Sequence, residues 1–308
     1  MSLLRSVFIA LSANSRLRRF SENSSFGRRM SSRFVAGFRI EDALTVAQAL
    51  NQQGLFSTLD SLGENVSSPD QARQAAQVYH RLLDEISAAL LNANVSLKLT
   101  QMGMDLGEGL AFDIVSGLVR HAVEAGTFVR VDMEGSPYTQ ATLDMVRRLH
   151  ALPENRGHVG IVIQAYLRRS EKDVATLLSD GIRIRLCKGA YKEPPEIAFP
   201  GKNEVDQNFV ALMKMLLKSG IYHGIATHDE AMIRATKDFV AAERIDRGSF
   251  EFQMLYGIRR DLQRKLVQDG YKVRVYVPFG EQWYPYFMRR LAERPANVIF
   301  LARNFFRK

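Results

Sequence analysis

The chain has 308 residues, of which 46% are hydrophobic and 24% charged, with a formal net charge of +9. This size allows one large domain or two small ones, and the composition is that of an ordinary globular protein. A single cysteine, Cys187, excludes a disulfide scaffold and any zinc or iron–sulfur centre built on cysteines.

The charge is unevenly placed. Residues 1–40 hold eight arginines against Glu22, which is +7 of the +9 and leaves +2 for the rest. A body so close to neutral argues against a nucleic-acid-binding protein. The arm is rich in serine and poor in acids, as in an organellar transit peptide, which would make the protein mitochondrial. Its apolar face, Leu3, Leu4, Val7, Phe8 and Leu11 beside Arg5, equally suits a bacterial arm resting on anionic lipid, or a helix that simply packs. No apolar run reaches the roughly 18 residues that span a bilayer. The expected organisation is a basic arm over 1–40 and one catalytic domain over 41–308, cytoplasmic or peripheral at the inner membrane surface.

From residue 56 onward, short apolar runs alternate with helical patterns. Strands are predicted over 56–62, 95–100, 127–134, 158–166, 183–190, 222–229, 249–255 and 272–280. Helices are predicted over 70–91, 110–124, 138–149, 171–178, 205–218, 230–243 and 259–269. Runs such as Gly160-Ile161-Val162-Ile163 read as strands buried on both faces. Eight β–α units in a row predict an α/β fold, a closed parallel (βα)8 barrel. A doubly wound sheet is the alternative, weakened by the lack of any Gly-x-Gly-x-x-Gly after a first strand. The proline-bearing stretch 191–203 follows the fifth strand, where a lid over a barrel mouth would lie.

In such a barrel, chemistry sits at the C-terminal strand ends. Those ends read Lys98; Asp132, Met133 and Glu134; Gln164 and Tyr166; Arg185, Lys188, Gly189, Ala190 and Tyr191; Thr227, His228 and Asp229; Glu251 and Gln253; and Tyr276. A helix framed by Pro285 and Pro295 follows. It puts Tyr286, Arg289, Arg290 and Glu293 at i, i+3, i+4 and i+7, on one face. Two adjacent guanidiniums can clamp a small carboxylate or phosphate. The plain alternative is an exposed Arg289–Glu293 pair. The set contains no serine nucleophile motif, and His228-Asp229 is a weak metal signal. The chemistry therefore points to an organic cofactor or to a Schiff-base lysine at Lys98 or Lys188.

These motifs resemble the proline dehydrogenase family, the flavin-dependent enzymes that oxidise L-proline. The resemblance rests on Arg33-Phe34-Val35-Ala36-Gly37, Thr58-Leu59-Asp60-Ser61-Leu62-Gly63-Glu64, Ser96-Leu97-Lys98-Leu99, Val131-Asp132-Met133-Glu134, Gln164-Ala165-Tyr166, Arg185-Leu186-Cys187-Lys188-Gly189-Ala190-Tyr191 and Ala226-Thr227-His228. It ends with Tyr286-x-x-Arg289-Arg290-x-x-Glu293-Arg294-Pro295 and covers roughly residues 33–300, as in the short, single-function bacterial form. It implies a distorted (βα)8 barrel whose last helix covers the mouth, with non-covalent FAD. Lys98, Arg289 and Arg290 would hold the substrate carboxylate, and Tyr276 and Tyr286 would wall the ring. Tyr286 would favour proline over hydroxyproline. Asp132 and Arg185 would be the catalytic pair, with Arg185 close to the flavin. Met133, Gln164, Lys188, Gly189, Ala190, Thr227 and His228 would contact FAD, and Glu293 would help position it. A membrane quinone would take the electrons.

Overall fold

The computed structural model describes residues 33–191, 193–284, 286 and 288. Eight strands run β1 (Phe56–Ser61), β2 (Ala93–Leu97), β3 (Val129–Val131), β4 (Val159–Gln164), β5 (Arg183–Cys187), β6 (His223–Ala226), β7 (Phe250–Leu255) and β8 (Lys272–Phe279). Every neighbouring pair is parallel, and the order β1 to β8 closes into the expected barrel. Closure falls between β1 and β8, whose register runs from Phe56 beside Arg274 to Ser61 beside Phe279.

Alternation along each strand sorts the side chains. Outward positions such as Val129, Val131, Ile161, Ile163, Ile184, Leu186, Val273 and Val275 are buried beneath the surrounding helices. Those helices are α2 (Pro69–Ala88), α3 (Glu108–Glu124), α4 (Thr139–Ala151), α5 (Ser170–Ser179), α6 (Lys202–Lys218), α7 (Glu230–Ala242) and α8 (Arg260–Gln268). The alternate positions hold polar groups that meet across the barrel, among them Thr58, Ser96, Arg130, Arg185, Glu251, Gln253 and Arg274.

Three features differ from the sequence expectation. A helix before the barrel, α1 (Ile40–Asn51), was not predicted. Its signal was present: Ile40, Ala43, Ala47 and Leu50 form one buried stripe. Asp42 Oδ2 also accepts from the Phe38 and Arg39 amides at 3.0 and 3.1 Å, satisfying backbone donors at the helix start. Second, the predicted strands overrun the real ones, most clearly at 127–134, 183–190 and 222–229. Single backbone bonds continue past these ends, such as the Asp132 amide to the Leu97 carbonyl at 2.8 Å and the Thr227 amide to the Gln253 carbonyl at 3.1 Å, but the regular ladder stops. Third, the stretch after β5 is pinned rather than open. The Glu193 carboxylate accepts from the Ser136 amide and hydroxyl at 2.7 and 2.6 Å. Leu167 and Ala198 bridge antiparallel, and the Phe199 amide donates to the Tyr166 carbonyl at 2.8 Å.

Candidate active site at the barrel mouth

The C-terminal strand ends carry an interlocked set of buried charges. Asp132, just past β3, accepts from Arg185 Nη1 at 2.9 Å and Ser96 Oγ at 2.6 Å through Oδ1. Its Oδ2 lies 2.8 Å from the Tyr276 hydroxyl and 3.6 Å from Lys98 Nζ. Burial alone would raise Asp132, but Lys98 and Arg185, with the Ser96 and Tyr276 hydrogen bonds, hold it below the usual carboxylate range.

Asp60 completes this set, and the sequence reading gave it no role. Its Oδ2 lies 2.7 Å from the same Tyr276 hydroxyl and 3.4 Å from Lys98 Nζ. The Tyr79 hydroxyl stands 3.3 Å from its other oxygen. A phenol has one hydrogen to donate. Between two ionised carboxylates it satisfies only one, so both short contacts require a proton on one carboxyl. Of the two, Asp60 is the one pushed toward holding it. Burial raises its affinity for a proton and the Asp132 charge adds to this, against the pull of Lys98.

Lys98, one residue beyond β2, is held protonated despite its burial, by Asp60 and Asp132 with help from Glu64. This opposes the Schiff-base alternative, which needs a neutral amine. Lys188 is likewise paired, with Asp206 and with Asp229 at 2.8 Å.

Arg185 is 6% exposed and forms the floor of the mouth. Its Nε donates to Gln253 Oε1, its Nη1 to Asp132 and to Ser96 Oγ at 3.1 Å, and its guanidinium lies over the Tyr276 ring at 5.1 Å. Its Nη2 is buried with no hydrogen-bond partner among the described residues. Gln253 fits there because Gly224 has no side chain: a Cβ on Gly224 would stand 2.3 Å from Gln253 Nε2. Gln253 in turn donates to Glu251 at 2.6 Å, and Glu251 accepts from Arg274 at 2.7 Å. A continuous polar column thus runs the length of the barrel, from Arg274 to Lys98.

The other expected positions border the same mouth. Met133 is buried, and Gln164 donates to the Glu134 carbonyl at 2.9 Å. Glu134, pushed up by burial, accepts from the Thr100 amide and hydroxyl. Gly189 has φ +109, and a Cβ there would lie 2.1 Å from the Tyr166 ring, so glycine alone fits beside Tyr166. Ala190 is exposed, and the Thr227 hydroxyl accepts from the Asp229 amide at 3.0 Å. His228 Nε2 accepts from the Leu255 amide at 3.0 Å. Tyr286 is helical and 6% exposed. It packs in a cluster with Trp283, Tyr284, Met288, Leu62 and Ile258, joined by Phe34 and Val35 from the segment read as the basic arm. Arg289, Arg290 and Glu293 lie outside the described residues. Of the expected set, the structure brings Lys98, Asp132, Arg185 and Tyr276 into direct contact or near contact.

Comparison with known proteins points to one family. The family model described as "Proline dehydrogenase" matches residues 43–303. The chain is 42% identical over 307 residues to "Proline dehydrogenase 1" of Bacillus subtilis strain 168, covering 99% of this chain and 100% of that one. It is 43% identical over 277 residues to "Proline dehydrogenase" of Deinococcus radiodurans, covering 89% of each. Among solved structures, it superposes with a TM-score of 0.82 and 26% identity on proline utilization A from Bdellovibrio bacteriovorus inactivated by N-propargylglycine. That match covers 94% of this chain and 36% of the longer protein.

Proposed function

The chain belongs to the proline dehydrogenase family and has proline dehydrogenase activity, the first step of proline catabolism; from that premise we propose that it oxidises L-proline to 1-pyrroline-5-carboxylate with a non-covalently bound FAD in the barrel mouth. When bound, the flavin supplies the hydride acceptor. The observation that carries this reading is Arg185 Nη2, a buried donor with no hydrogen-bond partner among the described residues, at the floor of the mouth. Such an atom costs on the order of 1–3 kcal/mol unless a ligand acceptor meets it. Met133, Gln164, Lys188, Gly189, Ala190, Thr227, His228 and Glu293 would hold the cofactor, and Arg185 would face it.

The chain's own residues have distinct tasks in this reading. Lys98, with Arg289 and Arg290, binds the substrate carboxylate and so fixes the ring, which is the positioning contribution to rate. Tyr276 and Tyr286 wall the ring and exclude water. Lys98 and Arg185 make the mouth cationic, which disfavours an ammonium and favours the neutral amine from which a hydride can leave. Asp132 orients Arg185 through the 2.9 Å ion pair, so that its guanidinium can stabilise negative charge developing at the cofactor. A quinone in the membrane would take the electrons, and residues 1–32 would hold the enzyme at the cytoplasmic membrane surface. No helix among the described residues is long and apolar enough to cross a membrane.

The test is an absorbance spectrum of the purified protein before and after anaerobic L-proline. Flavin bands that bleach with proline and persist with hydroxyproline are expected. A protein that neither carries nor binds FAD overturns the reading, and a flavin that proline leaves oxidised overturns the substrate.

A further inference from the structure

The opposite, N-terminal end of the barrel carries a second built site. A cavity of about 560 Å³ opens there, lined among others by Phe128, Arg130, Arg183, Tyr222, Glu251 and Arg274. Three guanidiniums thus face a single carboxylate, and that carboxylate is already engaged. Glu251 accepts from Arg274 Nε at 2.7 Å, from the Tyr222 hydroxyl at 3.0 Å and from Gln253 at 2.6 Å. Arg274 completes its pairing on the Ser57 carbonyl at 2.7 Å. Among the described residues, Arg130 and Arg183 donate only to carbonyl oxygens. Arg130 Nη1 donates to the Ile161 and Arg183 carbonyls at 3.0 and 2.7 Å, and Arg183 Nη1 to the Gly157 carbonyl at 3.1 Å.

Arg130 is 5% exposed, and its Nε is buried without a hydrogen-bond partner among the described residues. Its place inside the barrel is prepared: a Cβ on the adjacent Gly160 would stand 2.7 Å from Arg130 Nη1 and 2.8 Å from the Phe128 ring. Phe128 lies under both guanidiniums, at 4.6 Å from Arg130 and 5.4 Å from Arg183. Rings hold the guanidinium faces and leave the N–H edges for a ligand. Burial, then Arg185, with Arg183 and Arg274, works against the Arg130 charge, and only Glu251 favours it. A buried cation cluster of this kind is stable when an anion completes it.

We propose that this cavity is a binding site for a phosphate group, distinct from the active site and at the far end of the polar column. Two uncompensated positive charges match a phosphate dianion, and the fork geometry of guanidinium matches its tetrahedral oxygens. The group can belong to a soluble phosphate or to a lipid headgroup. Leu90, 89% exposed on the cavity rim, stands where an apolar contact to a lipid surface would be made.

The test is a calorimetric titration of the full chain with inorganic phosphate against chloride at matched ionic strength, repeated on Arg183→Gln. Arg183 touches no part of the catalytic set, so proline oxidation by this variant stays at the wild-type rate and reports that it is folded. Saturable phosphate binding that weakens at least tenfold in Arg183→Gln is expected. Flotation with phosphatidic acid vesicles then separates the sources. Loss of vesicle binding in Arg183→Gln assigns a headgroup, and unchanged vesicle behaviour assigns a soluble phosphate. Phosphate that binds no better than chloride, or equally to both proteins, overturns the site.

Discussion

The two ends of this barrel use the same side chains to opposite effect. At the C-terminal mouth, Lys98 and Arg185 stand against Asp60 and Asp132, and the charges interlock within 3.6 Å. At the N-terminal end, three arginines stand against one carboxylate among the described residues, Glu251. Between them lies a hydrogen-bonded interior in place of the apolar layers that usually fill such barrels. The difference shows where each end is incomplete. At the mouth each cation has a carboxylate beside it, and one buried donor, Arg185 Nη2, has no acceptor among the described residues. The base is satisfied in most of its hydrogen bonds and lacks negative charge.

The sharpest way to break the balance at the mouth is Asp132→Ala. Arg185 would then be buried without its partner, at a cost of about 3–5 kcal/mol in stability. Denaturant unfolding of the cofactor-free protein should show this loss, and anaerobic flavin reduction by proline should fall to background. An unchanged unfolding midpoint would mean that the ion pair carries none of the structure. Arg289→Ala or Arg290→Ala should act on substrate alone, costing on the order of 2–5 kcal/mol in kcat/KM with little change in stability. Steady-state kinetics with proline checks this, and a loss below threefold would remove the clamp from the carboxylate.

The shared proton gives a finer test. If Asp60 is protonated, Asp60→Asn keeps the shape and neutrality of the group and should cost no more than about 1 kcal/mol, whereas Asp60→Ala leaves Tyr79 and Tyr276 short of a partner and should cost about 2–3 kcal/mol. The pH dependence has opposite signs for the two carboxyls. Asp60 has a raised folded pKa, so its contribution is full below the unfolded carboxylate value and is lost as pH rises through the folded one. Asp132 has a depressed folded pKa, so its contribution is full above the unfolded value and is lost as pH falls through the folded one. Asp60→Asn should therefore remove the high-pH loss and leave the acid loss intact. A stability–pH curve identical to wild type would place the proton elsewhere.

Much of this was legible in the sequence, and what was not has a physical reason. The barrel follows from eight apolar runs spaced by helical patterns, because strands buried on both faces cannot hide their composition. Lys98, Asp132, Arg185 and Tyr276 stand out because each breaks an apolar strand end. Asp60 breaks one too, yet its meaning depends on partners 144 and more residues apart: Tyr276 lies 216 positions away and meets Asp132 across 144. Only closure of β1 on β8 creates that contact. Gln253 was visible as a strand residue, but its use depends on the space left by Gly224, which local sequence does not encode. The strand overruns have a related origin, since the local sequence does not mark where the last regular ladder bond falls.

The last expected effect concerns Gly189, and it separates shape from charge at the mouth. Replacing it by alanine adds no charge and removes no hydrogen bond. It forces a Cβ into the Tyr166 ring at a backbone angle of +109° that an L residue rarely adopts. Strain of this kind is worth about 1–3 kcal/mol. Relief requires Tyr166 to shift from its packing against Gly189, a residue proposed to contact the cofactor. The global unfolding midpoint should then shift modestly, while FAD retained through gel filtration drops severalfold. If Gly189→Ala lost stability and kept its flavin in full, the close approach would serve the packing of Tyr166 alone. The cofactor would then owe its place to the charged floor rather than to the shape of the wall.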